Sequence, residues 1–129
     1  FRKLIEFFSS NQFEPKFNTP GFEEMMTDVI FKLVIENREG LLLLVFHAQG
    51  TKYENLKYEL IGIIADKFKA DYKAYFSADD NIVLIITQNL FEGITSLTMR
   101  SQSDEILKQD LRRLIHYHSK GFAALISDG

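Results

Sequence analysis

The chain has 129 residues, 46% of them hydrophobic with 12 Phe and 5 Tyr, and a formal charge of −3. One domain of this size buries about 65–70% of the surface its unfolded form exposes, and so apolar a composition excludes a disordered chain. The absence of cysteine removes disulfides, thiolate catalysis and thiolate metal sites and suits a cytoplasmic protein, while the acidic balance offers phosphate no general attraction.

Phe1-Arg2-Lys3-Leu4-Ile5-Glu6-Phe7-Phe8 reads as a helix already under way, which implies further chain upstream of Phe1. Residues 11–21 form the longest loop-like stretch. Phe22, Met25, Met26, Val29, Ile30, Leu33 and Val34 step by three and one along one stripe, predicting a helix over 22–37 with Thr19 as N-cap and Pro20 in its first turn. After Asn37-Arg38-Glu39-Gly40 comes the run Leu41 to Phe46, which has no polar face. A strand is compatible with that run, but leucine's helix preference, the lack of a hairpin partner and the stop at Gly50 favour a short buried helix over 41–49. No run approaches the roughly 20 apolar residues of a membrane span.

Thr51 and Glu54 have capping-box spacing and open a helix over 53–70 through Leu56, Leu60, Ile61, Ile64 and Phe68. Ser77 and Asp80 repeat the signal for a helix over 77–97 that carries Ile82 to Ile86, Leu90, Phe91, Ile94 and Leu97. Ser103-Asp104-Glu105 starts the last, over 103–126, with Leu107, Leu111, Leu114, Ile115, Phe122, Leu125 and Ile126 at three-four spacing. The expected fold is all-α, an antiparallel bundle of about six helices forming a single domain over 1–129.

Several polar residues invite chemistry. His116 and His118 lie two apart, roughly 200° around a helix axis, so they do not chelate one ion. His118 falls on the stripe of Leu111, Leu114, Ile115 and Phe122, where a half-buried imidazole or an interface contact is the ordinary reading. His47 ends the most apolar segment, as a boundary histidine or as a ligand contact. Asn89 shares a face with Ile85, Ile86 and Gly93, where its amide bonds a neighbouring helix or an effector. Met25 and Met26 fit core packing or an adaptable cavity. Tyr72, Tyr75 and Phe76 serve equally as pocket rim or loop anchors. Gly93 and Gly121 each cost about 1 kcal/mol inside a helix, which calls for a close helix approach at both. No nucleophile–base pair, paired carboxylates or phosphate loop is found, so neither catalysis, metal nor cofactor is expected.

Two long helices at the end, preceded by a compact set of shorter ones, resemble the C-terminal domain of TetR-type bacterial transcriptional regulators. The residues that carry the resemblance are Ile35-Glu36-Asn37-Arg38-Glu39 leading into Leu41–Phe46, then Asn89-Leu90-Phe91-Glu92-Gly93-Ile94, and Ile115-His116-Tyr117-His118-Ser119-Lys120-Gly121-Phe122. The resemblance implies a ligand-responsive regulator, most simply a repressor, with DNA contacted only through an N-terminal helix-turn-helix outside this chain. It implies that residues 1–9 are the tail of a connecting helix, that the next helices enclose a cavity for a small apolar or amphipathic effector, and that the last two pair across a two-fold axis. Met26, Ile30, His47, Tyr58, Ile61 and Asn89 are the candidate cavity residues. The candidate dimer residues are Leu90, Gly93, Ile94, Leu97, Leu111, Leu114, Ile115, His118, Gly121, Phe122 and Leu125, with a charge at Leu114 or Phe122 expected to dissociate the dimer. The competing reading is a helical protein–protein interaction module with no cavity.

Overall fold

The computed structural model describes residues 19–46, 50 and 55–127. It contains five helices among them and no strand: α1 (Phe22–Glu36), α2 (Arg38–Phe46), α3 (Leu56–Asp71), α4 (Asn81–Arg100) and α5 (Asp104–Ser127). The expected all-α bundle is therefore present. The sixth expected helix, over 1–9, lies outside the described residues, as does the Thr51–Glu54 capping box.

Local chemistry moves several helix starts. Thr19 is not the cap of α1: Gly21 adopts a left-handed φ of 87° in the N-cap position with no side-chain cap, and the Thr19 carbonyl accepts from the Phe22 N–H at 3.2 Å. The chain turns there, where glycine bears the positive φ without strain. Asn37 alone separates α1 from α2. Its Nδ2 donates to the Leu33 carbonyl at 2.8 Å while its own carbonyl accepts from Leu41 N–H at 2.8 Å, so the second helix begins at Arg38, three residues before the apolar run.

The cap of α4 is Asp80 rather than Ser77, its Oδ1 accepting from Ile82 N–H at 2.9 Å. Asp80→Ala should cost about 1 kcal/mol and lower the melting temperature by roughly 3–5 °C, and calorimetry showing no shift would remove that role. Ser103 caps α5 as its sequence suggests, with Oγ accepting from Ile106 N–H at 3.2 Å.

The helices pair as α1 on α5 and α3 on α4, with α4 and α5 joining the pairs and α2 lying across α4. One core gathers Ile30, Val34, Leu41, Leu60, Ile61, Ile64, Phe91, Leu107, Leu111 and Ile115. A second gathers Ala65, Phe76, Val83 and Phe122, and Phe68 packs on both. Leu43 corrects the expectation that α2 is buried on every side, because it is 51% exposed. A single helix laid on the bundle surface keeps one face outward whatever its composition.

By length and composition α4 is able to cross a membrane, with a mean hydropathy of 1.4, which corrects the expectation that no segment would qualify. Its polar positions are mostly uncharged Thr, Asn, Gln and Ser, so the apolar run alone underestimates it. Thr87, Thr95 and Thr98 are nevertheless buried within the bundle, each hydroxyl donating to a carbonyl three or four residues back in its own helix. Local bonding of this kind lets a hydroxyl be buried without a partner on another helix.

Candidate functional site

Two adjoining surfaces of the α4–α5 pair carry the features that point outward from the fold. The two helices are antiparallel and touch at Gly93, where an added Cβ would stand 3.0 Å from Leu114 Cδ2. That contact meets the need for close approach at Gly93 within the subunit. It also sets the register, bringing Ile86 and Asn89 of α4 beside Tyr117, Gly121 and Leu125 of α5 along one open groove of about 1260 Å³.

Helical geometry groups the outward residues. On α4, Ile82, Ile85, Ile86, Asn89 and Gly93 fall within an arc of about 100°; on α5, Tyr117, Gly121, Leu125 and Leu114 fall within about 80°. Ile82 is 54% exposed, Ile85 48%, Tyr117 73% and Leu125 44%. Four large apolar side chains are thus exposed in two adjacent arcs of the paired helices. Beyond one edge, α1 and α5 are stitched by Glu23–His116 at 2.6 Å, Glu24–Arg112 at 2.8 Å and Asp28–Lys108 at 3.2 Å. These exposed pairs fix the register of α1 more than they stabilise it, at about 0.2–1 kcal/mol each.

The candidate dimer residues divide between this surface and the interior. Leu111, Ile115 and Phe122 are at most 8% exposed and belong to the subunit's own core. Ile94 and Leu97 pack partly buried against that core, and Leu90 and His118 line an apolar crevice. Gly93 and Leu114 meet each other, which leaves Gly121 and Leu125 freely outward. The sequence reading missed Ile82, Ile85, Ile86 and Tyr117, although Ile86 and Ile85 stand seven and eight residues, two turns, before Gly93 and Tyr117 stands one turn before Gly121.

The candidate cavity residues are not brought together. Met26 and Ile30 line the crevice, Ile61 is 1% exposed in the core, Tyr58 is 57% exposed with Lys57 Nζ 5.3 Å from its ring centroid, and Asn89 faces the open groove. His47 lies outside the described residues. Between α1, α2, α3 and α4, where the cavity was expected, the described side chains of the main core pack on one another. The crevice opens elsewhere, between α1, α4 and α5 with Phe68 of α3, and holds about 70 Å³. Small-molecule sites are usually several hundred cubic ångströms.

No family model, curated protein or solved structure matches the chain. Among the described residues that line the crevice His118 is the one titratable group, beside Phe22, Met26, Ile115 and Phe122 and edge-on to the Tyr117 ring at 5.2 Å. Burial disfavours its cation and pushes its pKa below the ordinary 6.5. The unfolded chain then binds this proton more readily than the folded one. Stability from this group is full above pH 6.5 and falls as pH drops through that value and through the lower folded one. His118→Gln should flatten that part of the urea midpoint profile between neutral and mildly acidic pH; an unchanged slope would show that His118 is solvated.

Proposed function

We propose that this chain is the regulatory and dimerisation part of a ligand-responsive transcriptional regulator of the TetR type, contacting DNA only through a further domain. The outward apolar arc shared by α4 and α5 carries this reading, because a two-fold pairing of those two helices builds a four-helix bundle with no further element required. A small apolar or amphipathic effector enters the crevice by displacing Phe22 and Met26. That movement pushes the start of α1 away from α5 and passes to the chain that precedes it, so an occupied crevice and an empty one favour different placements of the upstream segment. Adaptable side chains such as Met26 suit an opening of this kind.

The reading has two tests. Light scattering on the native chain at tens of micromolar should give twice the chain mass, and a monomer overturns the dimer. A medium-chain amphipathic probe such as decanoate, at about a hundredfold excess over its dissociation constant, should raise stability by about 2.7 kcal/mol, and Met26→Phe should abolish the gain by filling the crevice. The small volume of the crevice favours a second reading, an interaction module with no effector, and that reading stands if neither decanoate nor a screen of apolar compounds raises the melting temperature.

A further inference from the structure

We infer that the ligand of the crevice is an anionic amphiphile whose carboxylate sits on His118, an inference that rests on the proposed effector site and not on any pairing of subunits. The crevice wall is apolar at Met26, Ile30, Phe68, Leu90 and Phe122 and polar at Thr87, His118 and Ser119. Thr87 is already committed, its hydroxyl donating to the Val83 carbonyl at 2.7 Å. The side chains of His118 and Ser119 make no hydrogen bond to a described residue. These two neighbours on α5 are therefore available to hold a head group while the apolar wall takes its tail, the usual division of labour in a small-molecule site.

Charge selects the head group. Ile86, His118 and Phe122 line both the crevice and the open groove, so the imidazole stands where the two meet. The ionisable groups around it come from α1 and α5: Glu23 and Glu24 against Arg112, Arg113 and Lys120, with His116 and the Tyr117 phenol. The residues that α3 and α4 contribute to the crevice and the groove are uncharged. Glu23 engages His116 at 2.6 Å and Glu24 engages Arg112 at 2.8 Å, which leaves Arg113 and Lys120 without an ion pair among the described residues. A chain of formal charge −3 is thus locally positive at this mouth, and such a field favours an anion over a neutral or cationic amphiphile. Burial keeps His118 below its ordinary pKa of 6.5 and hence neutral near pH 7, whereas a carboxylate beside it favours the imidazolium. Binding then takes up a proton, and affinity rises as pH falls from about 8 toward 6.5, a range in which the carboxylate itself stays ionised.

Titration calorimetry of the native chain with decanoate, decanamide and decylamine compares an anionic, a neutral and a cationic head on one tail. Decanoate should bind about tenfold tighter than either of the others, a difference of about 1.4 kcal/mol. Its binding enthalpy at pH 7 should change with the ionisation enthalpy of the buffer, the signature of proton uptake, and that of decanamide should not. His118→Gln should abolish the buffer dependence and weaken decanoate severalfold while leaving decanamide unchanged; if this variant does not fold, the buffer dependence of the native chain decides alone. Met26→Phe, which fills the crevice, should remove binding of all three. Decanamide binding as tightly as decanoate, or decanoate binding without proton uptake, overturns the carboxylate on His118 while leaving an apolar effector in the crevice intact. A native chain that binds none of the three, or binds them equally well after Met26→Phe, overturns both.

Discussion

Phe122→Ala is expected to remove about 3–5 kcal/mol of folding stability, enough to leave much of a marginally stable domain unfolded. The ring is 8% exposed, with its centroid 5.4 Å from that of Phe68, 5.5 Å from Tyr72 and 5.6 Å from Phe76. Those partners belong to α3 and to the connection between α3 and α4, so this one side chain of α5 ties three stretches of chain together. Truncation opens a cavity among rings too large to collapse into it. Urea denaturation followed by circular dichroism measures the loss, and a value below about 1 kcal/mol would mean that the ring cluster is not close-packed. A charge placed at Phe122 should accordingly unfold the subunit instead of cleanly separating a dimer, which corrects the expectation drawn from the sequence.

Clean separation is expected from the opposite face. Ile85→Glu combined with Tyr117→Glu should weaken self-association more than a hundredfold while leaving helix content and subunit stability nearly unchanged. Both side chains are about half exposed or more in the subunit, so its fold loses little when they become charged. In the proposed dimer the same positions are covered, and a carboxylate taken from water without a partner costs several kcal/mol, where each 1.4 kcal/mol is about tenfold in affinity. Two such substitutions per copy act four times across a two-fold contact. Sedimentation equilibrium across a range of concentrations reads the constant directly; a double variant that associates like the native chain would place the contact elsewhere.

The helices themselves were largely legible because apolar residues at three-four spacing have one physical meaning over fifteen residues or more. Their starts were less so. At Thr19 and Ser77 the sequence offers a capping side chain, yet a left-handed Gly21 and the stronger acceptor Asp80 begin the helices instead. Periodicity also gives the phase of a stripe without saying which stripe is inside. On α5 the inner set is Leu107, Leu111, Ile115 and Phe122, and the outer set Tyr117, Gly121 and Leu125, less than half a turn away. Spacing alone merges the two sets into one stripe. Asn89 shows the same limit: its shared face with Ile86 and Gly93 is read correctly from spacing, but that face opens to the groove and not to a cavity. Gly93 and Gly121 look alike in sequence, and the position of Leu114 distinguishes them: an added Cβ would meet it at Gly93 and would meet none of the described residues at Gly121.

Oxidative footprinting of the native chain at dilute and tens-of-micromolar concentration tests most directly whether two copies meet on the α4–α5 face. Tyr117 is 73% exposed in the subunit, Tyr58 57% and Tyr75 49%, so among the described residues the tyrosine most open to hydroxyl radicals is the one the proposed contact covers. On concentration Tyr117 should become strongly protected while Tyr58 on α3 and Tyr75 in the following turn keep their reactivity. Tyr117 reacting as freely at high concentration as at low, or protection appearing at Tyr58 in its place, would contradict a dimer built on α4 and α5.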